Sequence, residues 1–475
     1  MSVTLQFLLV LAIIVLVAKY AGALSVRWGQ PAVFGTILAG LILGPTFLNI
    51  LGWPIFLSPE VGAEAVTQVE HVSPVFEPIK LMAELGVILL MFLAGLETDL
   101  RQMMRVGGAA LWAAVGGVLG PLFFGSGAAY LFMRLGLPFT AYEAIFIGTI
   151  LTATSVSISA QTLMELKAIR SKEGVTILGA AVIDDVLGIL LLSFVIAFKP
   201  TGGILAPKTH LLDWVMELLR EFPAVAANPG PWRMGALVLL MLFSVALAVL
   251  IWRFLLVPFL RHLGSQPVAE GLLAAAVVAG LFFAWMAEFI GNLAAITGSY
   301  VVGVLIALSD LREQVTAKVH TLTYGMFVSI FFVSIGLTAD ARTIFAPLVH
   351  LSRMTRVEWL MLIFTLLIVL IAVLTKVGGC LLGARATGFS WLESYRVGVG
   401  MISRGEVGLI VAAVGFSAGV IGVEVFSVMI LMVLVTTLVT PVWLRAVIPP
   451  GGKDDSADHH PPPAPAKGIH RSSSR

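Results

Sequence analysis

Residues 180–192, AAVIDDVLGILLL, set two adjacent aspartates, Asp184 and Asp185, inside an apolar run covering residues 174–199. The run otherwise reads as a membrane-spanning helix, which needs about 17–25 apolar residues. An acidic group at the centre of such a helix costs about 2.5–3.5 kcal/mol on insertion scales. Two in succession must be offset, so the rest of the chain has to hold a partner for them.

Composition places that chain in a bilayer. Of 475 residues 12% are charged and 59% hydrophobic, whereas soluble domains carry about 25% charged residues. With mean hydropathy of +1.02, the fold class is all-α and polytopic. Apolar runs near 4–24, 31–48, 78–98, 108–134, 143–165, 174–199, 232–262, 268–288, 293–309, 319–339, 358–384, 393–419 and 422–447 predict thirteen transmembrane helices. Lysine and arginine gather in the loops on one side, at Arg27, Arg101, Arg105, Lys167, Arg170, Lys172, Arg261, Arg312, Lys318 and Arg385. The other side holds little beyond Arg134 and Arg342. The positive-inside rule then puts the C-terminus in the cytoplasm and the N-terminus outside, in the cell (inner) membrane. The first span lacks the basic start of a cleaved signal and is expected to be retained. Cys380 has no second cysteine to pair with, the net charge of +2 identifies no partner, and nothing suggests a nucleic acid.

Two segments lie outside the apolar runs. Within the external linker 200–231, Leu211, Leu212, Val215, Leu218, Leu219 and Phe222 follow helical spacing, predicting an amphipathic surface helix. The tail GGKDDSADHHPPPAPAKGIHRSSSR is polar and Pro-rich, with no packed fold and no further soluble domain expected after the membrane part. Between them runs an internal repeat. LLMFLAGLETDL in span three parallels SIFFVSIGLTAD in span ten, and FGTILAGLILGP in span two parallels ITGSYVVGVLIAL in span nine. The expected organisation is a first six-helix repeat over 1–199, a linker plus connector helix over 200–262, a second repeat over 263–447, and a cytoplasmic tail over 448–475. Seven spans between equivalent positions give the second repeat opposite topology. That is the inverted-repeat plan of secondary transporters, with the ion site at the midplane between the halves.

Depth arithmetic finds the partner. At 1.5 Å per residue, Asp184 and Asp185 lie about 15 Å, and Lys376 of span eleven about 12 Å, from the same face. Adjacent helical residues project about 100° apart, so one aspartate can pair with Lys376 while the other faces a cavity. Such a cluster can exchange protons as a coupled unit, or serve only as a salt bridge locking two helices. Span five, GTILTATSVSISAQTL, sets Thr152, Thr154, Ser155, Ser157 and Ser159 where a helix should be most apolar. Hydroxyl and carbonyl oxygens are hard donors suited to a small cation, although they also bond within their own helix. Span twelve, GVGMISRGEVGLIVAAVG, holds Arg404 and Glu406 around Gly405. These two either pair or offset the backbone dipoles of a broken helix, in a structural or gating role. Glu84 and Glu288 fit an access path or packing pairs, and Glu97 and Asp99 a solvated helix end. Of His71, His210, His262, His320 and His350, none stands out. No cluster has the spacing of a resident metal centre or a nucleophile, so neither catalytic residue nor cofactor is expected.

GQPAVFGTILAGLILGPTFL, ELGVILLMFLAGLETDL, TATSVSIS, AAVIDDVLG, FFVSIGLTAD, LTKVGG and ISRGEVGLIVA together resemble the monovalent cation:proton antiporter-2 family, over residues 1–447. The resemblance implies an NhaA-like sodium/proton antiporter fold of thirteen helices, a dimerisation domain, and a six-helix core domain. The discontinuous helices, here spans five and twelve, cross beside the ion site, and the protein is a homodimer in lipid. By position, Asp185 matches the aspartate that binds the metal ion and the proton, Asp184 its neighbour that pairs with a lysine, and Lys376 that lysine. Thr154 and Ser155 match the crossing of the first broken helix, Arg404 and Glu406 that of the second. Paired aspartates with a lysine resemble the electrogenic branch, while the chain departs from potassium-efflux relatives in ending without their cytosolic regulatory domain. The expected function is sodium (or lithium)/proton antiport by alternating access, with Na⁺ (or Li⁺ or K⁺) and H⁺ competing for Asp185. A potassium/proton exchanger of the same fold is the nearest alternative; a passive cation channel and a nontransporting receptor are more distant ones.

Overall fold

The computed structural model describes residues 2–56, 73–98, 107–197, 214–215, 217–218, 229–267, 269–291, 293–339 and 355–448, and all regular structure among them is helical. In chain order the first part holds α1 (Val3–Arg27), α2 (Ala32–Leu43), α3 (Phe76–Glu97), α4 (Gly107–Leu135), α5 (Ala141–Ile150), α6 (Val156–Glu165) and α7 (Lys172–Ala197). The second part holds α8 (Pro229–Ile251), α9 (Val257–Ser265), α10 (Gly271–Phe289), α11 (Ala295–Ala307), α12 (Arg312–Leu322) and α13 (Val328–Thr338). It ends with α14 (Arg356–Ala386), α15 (Trp391–Gly400), α16 (Glu406–Ser417) and α17 (Val423–Val447). Wide π-turns at Trp252–Leu256 and Thr323–Phe327 join α8 to α9 and α12 to α13 without ending either rod.

Among the described residues, nine helices are long and apolar enough to cross a membrane, and four shorter apolar ones accompany them. The apolar run at 31–48 stops being helical at Leu43. Gly44 there takes an extended backbone, as expected of the residue before Pro45, whose ring disfavours the helical conformation. The runs at 143–165 and 393–419 are each interrupted, giving the half-helix pairs α5/α6 and α15/α16. Starts are set locally: Thr140 with Glu143, Thr355 with Glu358, and Ser390 with Glu393 form reciprocal caps on α5, α14 and α15, each satisfying backbone N–H groups that a helix start leaves open. The predicted amphipathic segment falls largely outside the described residues. Trp214, Val215, Glu217 and Leu218 are helical, with Trp214 and Leu218 exposed. The tail from residue 449 also lies outside.

The helices pack as two groups. One combines α1, α2 and α3 with α8–α13; the other combines α4–α7 with α14–α17. Glycine lets backbones touch at the main contacts. A Cβ at Gly40 of α2 would come 2.5 Å from the Val333 carbonyl oxygen of α13, one at Gly95 of α3 would collide with the Tyr300 carbonyl oxygen of α11, and Gly116 of α4 and Gly379 of α14 exclude each other's Cβ reciprocally. The groups meet chiefly where α7 packs on α11, with Ser193 and Thr297 hydroxyls 2.5 Å apart. One continuous apolar core, including Ile37 and Val87 from the first group and Ile150 and Val428 from the second, fills the space between them.

Candidate functional site

The two interrupted helices cross. Residues 151–155 and 401–405 carry non-helical backbone and bind each other. The Ser155 N–H donates to the Ser403 carbonyl at 2.9 Å, and the Ser403 hydroxyl donates to the Ser155 carbonyl at 2.9 Å. The Ser159 hydroxyl donates to the Gly400 carbonyl at 2.5 Å. Serine and threonine offer a backbone alternatives to helical bonding, which lets the chain leave the helix here. Gly405 makes the crossing possible, since a Cβ would sit 2.5 Å from the Ser155 hydroxyl oxygen.

A broken helix leaves carbonyls at the end of one half and N–H groups at the start of the next, with partial charges to match. Cations meet the carbonyls. The buried Lys376 ammonium donates to the Thr152 carbonyl just beyond α5 (2.6 Å), to the Gly117 carbonyl of α4 (2.9 Å), and to both Asp184 oxygens (2.8 and 2.9 Å). Gly117 admits the lysine: a Cβ there would lie 2.6 Å from the Cys380 sulfur and 3.3 Å from Nζ. The buried Arg404 guanidinium donates to the Ile402 carbonyl beyond α15 (2.7 Å) and to the Ala372 carbonyl of α14 (2.9 Å). The Thr437 hydroxyl of α17 holds the Arg404 carbonyl at 2.7 Å. Arg404 therefore offsets backbone dipoles, one of the two roles open to it from sequence.

The carboxylates divide in the same way. Asp184 is spent on Lys376, and both are fully buried. Asp185, one residue on, is partly accessible. Its Oδ1 is buried without a hydrogen-bond partner among the described residues, and its charged neighbours include Asp184, Glu406 and Lys376. Glu406 opens α16 and accepts from the Ser155 hydroxyl at 3.2 Å. Thr154 is buried, and its hydroxyl also has no partner among the described residues. Lys376 pairs with Asp184 and Arg404 with backbone carbonyls, while Asp185 has two further carboxylates, Asp184 and Glu406, among its charged neighbours.

All seven residues singled out from sequence, Thr154, Ser155, Asp184, Asp185, Lys376, Arg404 and Glu406, sit on the crossing or the two helices against it. Sequence reasoning did not single out Ser403, Thr437 or the Gly117 carbonyl. Of these, Ser403 had a signal, being a hydroxyl residue inside the polar break of span twelve. Glu84, Glu288, Glu97, His262 and His320 are exposed, and Glu97 of α3 is a charged neighbour of Glu406. Asp99, His71, His210 and His350 lie outside the described residues.

The fold resembles that of the sodium proton antiporter MjNhaP1 from Methanocaldococcus jannaschii, with a TM-score of 0.64 over 94% of this chain and 99% of that one at 13% identity. In sequence the chain is 34% identical to the Na(+)/H(+)-K(+) antiporter GerN of Bacillus cereus, covering 94% of this chain and 97% of the relative. It is 34% identical to the high-affinity Na(+)/H(+) antiporter NhaS3 of Synechocystis sp., covering 96% and 93%. The family model described as "Sodium/hydrogen exchanger, transmembrane" matches residues 11–448. With a buried acidic crossing inside a bundle of apolar helices and that match across most of its length, the chain belongs to the transmembrane sodium/hydrogen exchanger family.

Proposed function

We propose that the protein is a secondary active sodium/proton antiporter in which Na⁺ (or Li⁺) and H⁺ occupy Asp185 in turn. The observation that carries this reading is the buried Oδ1 of Asp185, without a hydrogen-bond partner among the described residues, beside two further carboxylates, Asp184 and Glu406. An empty site is costly to carry through an apolar barrier, because an isolated buried charge is expensive. A cation or a proton on Asp185 cancels its charge and lets the site move more easily, so competing occupancy suffices to couple the two flows. Thr154 supplies a second free oxygen, and Ser155, tied to Glu406, shapes the wall. Lys376 and Asp184 hold the crossing and take part in proton transfer, which makes exchange electrogenic. The Asp-Asp-Lys set supports placement in the antiporter-2 branch. The reciprocal contacts Ser155/Ser403 and Gly116/Gly379 support thirteen crossings in two inverted six-helix repeats, counting each broken pair once. On this reading the group holding α4–α7 and α14–α17 moves against the other, which forms the homodimer in the cell membrane, with the C-terminus cytoplasmic.

Proteoliposomes with an entrapped pH dye test the reading. Wild type should move protons out when Na⁺ or Li⁺ is added, and Asp185→Asn should abolish the signal. Normal exchange by Asp185→Asn would refute the assignment. The printed name of the Bacillus cereus relative includes K⁺, which favours potassium as the second cation to include in the same assay.

A further inference from the structure

Where the two helix groups meet, a pair of hydroxyls is set into an apolar seam. Ser193 of α7 and Thr297 of α11 are 1% and 2% exposed, with their oxygens 2.5 Å apart. Ile189, Leu192 and Val195 of α7, with Ala294 and Ile296 at the start of α11, belong to one buried apolar core around them. Ser193 lies about 12 Å beyond Asp185 along α7, toward Ala197. The pair therefore sits to one side of the candidate ion site, on the way to the end of α7 that leads into the linker 200–231.

Each hydroxyl is anchored in its own group. Two residues beyond Ser193, the Val195 carbonyl accepts from the Tyr142 hydroxyl of α5 at 2.5 Å. Thr297 precedes Gly298, where a Cβ would collide with the Phe283 carbonyl oxygen, so α11 lies with its backbone against α10. A displacement of one group against the other thus acts on the bond between the hydroxyls. Its direction follows from a neighbour. Ser193 Oγ lies 2.9 Å from the Ile189 carbonyl, and a carbonyl can only accept, so the serine proton goes there. The bond across the seam is donated by Thr297. Parting the groups leaves Ser193 its helical partner but takes the acceptor from Thr297. A buried donor without an acceptor is costly, so the seam has two good states, bonded and dry or parted and wet.

We propose that Ser193 and Thr297 form a latch that closes the ion site on the Ala197 side, the outer side when the C-terminus is cytoplasmic. Bonded, the latch holds the apolar seam shut; parted, it admits water and the ion to Asp185 from that side. The inference rests on the antiport reading and names a contact that must break in each transport cycle.

The test measures exchange in right-side-out and inside-out membrane vesicles across Na⁺ concentration. Thr297→Val keeps the shape and removes the donor. Weakening the closed state raises the fraction of sites open outward, so KM for Na⁺ on the outer face should fall by about three- to fivefold while KM on the cytoplasmic face does not fall. Ser193→Ala removes the acceptor and should do the same. The two together should add nothing further, and Thr297→Ser should restore both values. In the double variant Ser193→Cys/Thr297→Cys, an oxidant should join the groups and abolish exchange, and a reductant should restore it, with either single variant insensitive; the native Cys380 is fully buried. Unchanged KM values, equal shifts on both faces, or a fall confined to the cytoplasmic face would overturn the latch and leave the antiport reading standing. Undiminished exchange by the cross-linked protein would do so too. Should Thr297→Val misfold, Ser193→Ala and the cysteine pair decide; should the cysteines not join, the KM values decide alone. A wild type without exchange would remove the antiport reading, and the latch with it.

Discussion

The two helix breaks solve one problem in different ways. Each ends a half-helix whose last carbonyls need a positive charge. At residues 151–155 the charge is imported: Lys376 arrives from α14 and is itself held by Asp184 of α7. At residues 401–405 the charge is local, since Arg404 belongs to the break and spends its donors on the carbonyls of Ile402 and Ala372. The guanidinium keeps its charge across the physiological range and bridges with a planar fork, whereas an ammonium is a point charge able to give up a proton when buried. The second break is thus a permanent electrostatic clamp. The first depends on a salt bridge next to Asp185, whose Oδ1 has no partner among the described residues, so a change in occupancy at Asp185 is felt there.

The sharpest way to break this contrast is to remove Lys376. Lys376→Ala should leave Asp184 buried without its counter-charge and destabilise the protein by about 3–5 kcal/mol, read as a fall in the unfolding temperature of the detergent-purified protein. Combining Lys376→Met with Asp184→Asn removes both charges and should recover most of that loss. If the double variant is no more stable than the single, Asp184 does not carry the charge assigned to it. A smaller effect is expected from Arg404→Lys, because one ammonium cannot reach the carbonyls on α14 and beyond α15 together. The carbonyl left unpaired should cost about 1–3 kcal/mol, with the transport rate lowered and KM for Na⁺ little changed. A matching rise in KM would move Arg404 from clamp to ion site. Ser403→Ala should cost least, about 0.5–1.5 kcal/mol, because the Ser155 N–H bond to the Ser403 carbonyl survives the loss of the hydroxyl. A larger fall in unfolding temperature would show that the hydroxyl, not the backbone, holds the crossing.

Legibility followed the range of the physics. Apolar runs were readable because spanning a bilayer is a condition on consecutive residues. The Asp184/Asp185 pair and Lys376 were readable because charges in such runs are expensive and counting residues gives their depth. That one aspartate would face the lysine followed from helical geometry. Helical geometry could not tell which one without knowing where α14 packs; the family resemblance named Asp184, and the structure sets Lys376 2.8 Å from Asp184. The polar residues of spans five and twelve marked where helices would be weak, while the register of the crossing came from contacts such as Ser403 to Ser155, 248 positions apart.

By itself, then, the order of residues determined that this chain lies in a membrane, which stretches are apolar enough to cross it, and that opposite charges fall at similar helical depth, all of them consequences of local hydrophobicity and helical rise. Only the tertiary structure decided the hydrogen bonds that hold Lys376 and Asp184 together, which oxygen of Asp185 has no partner among the described residues, and how each break is capped. Those depend on how closely backbones approach at glycines far apart in the chain, and no periodicity records that.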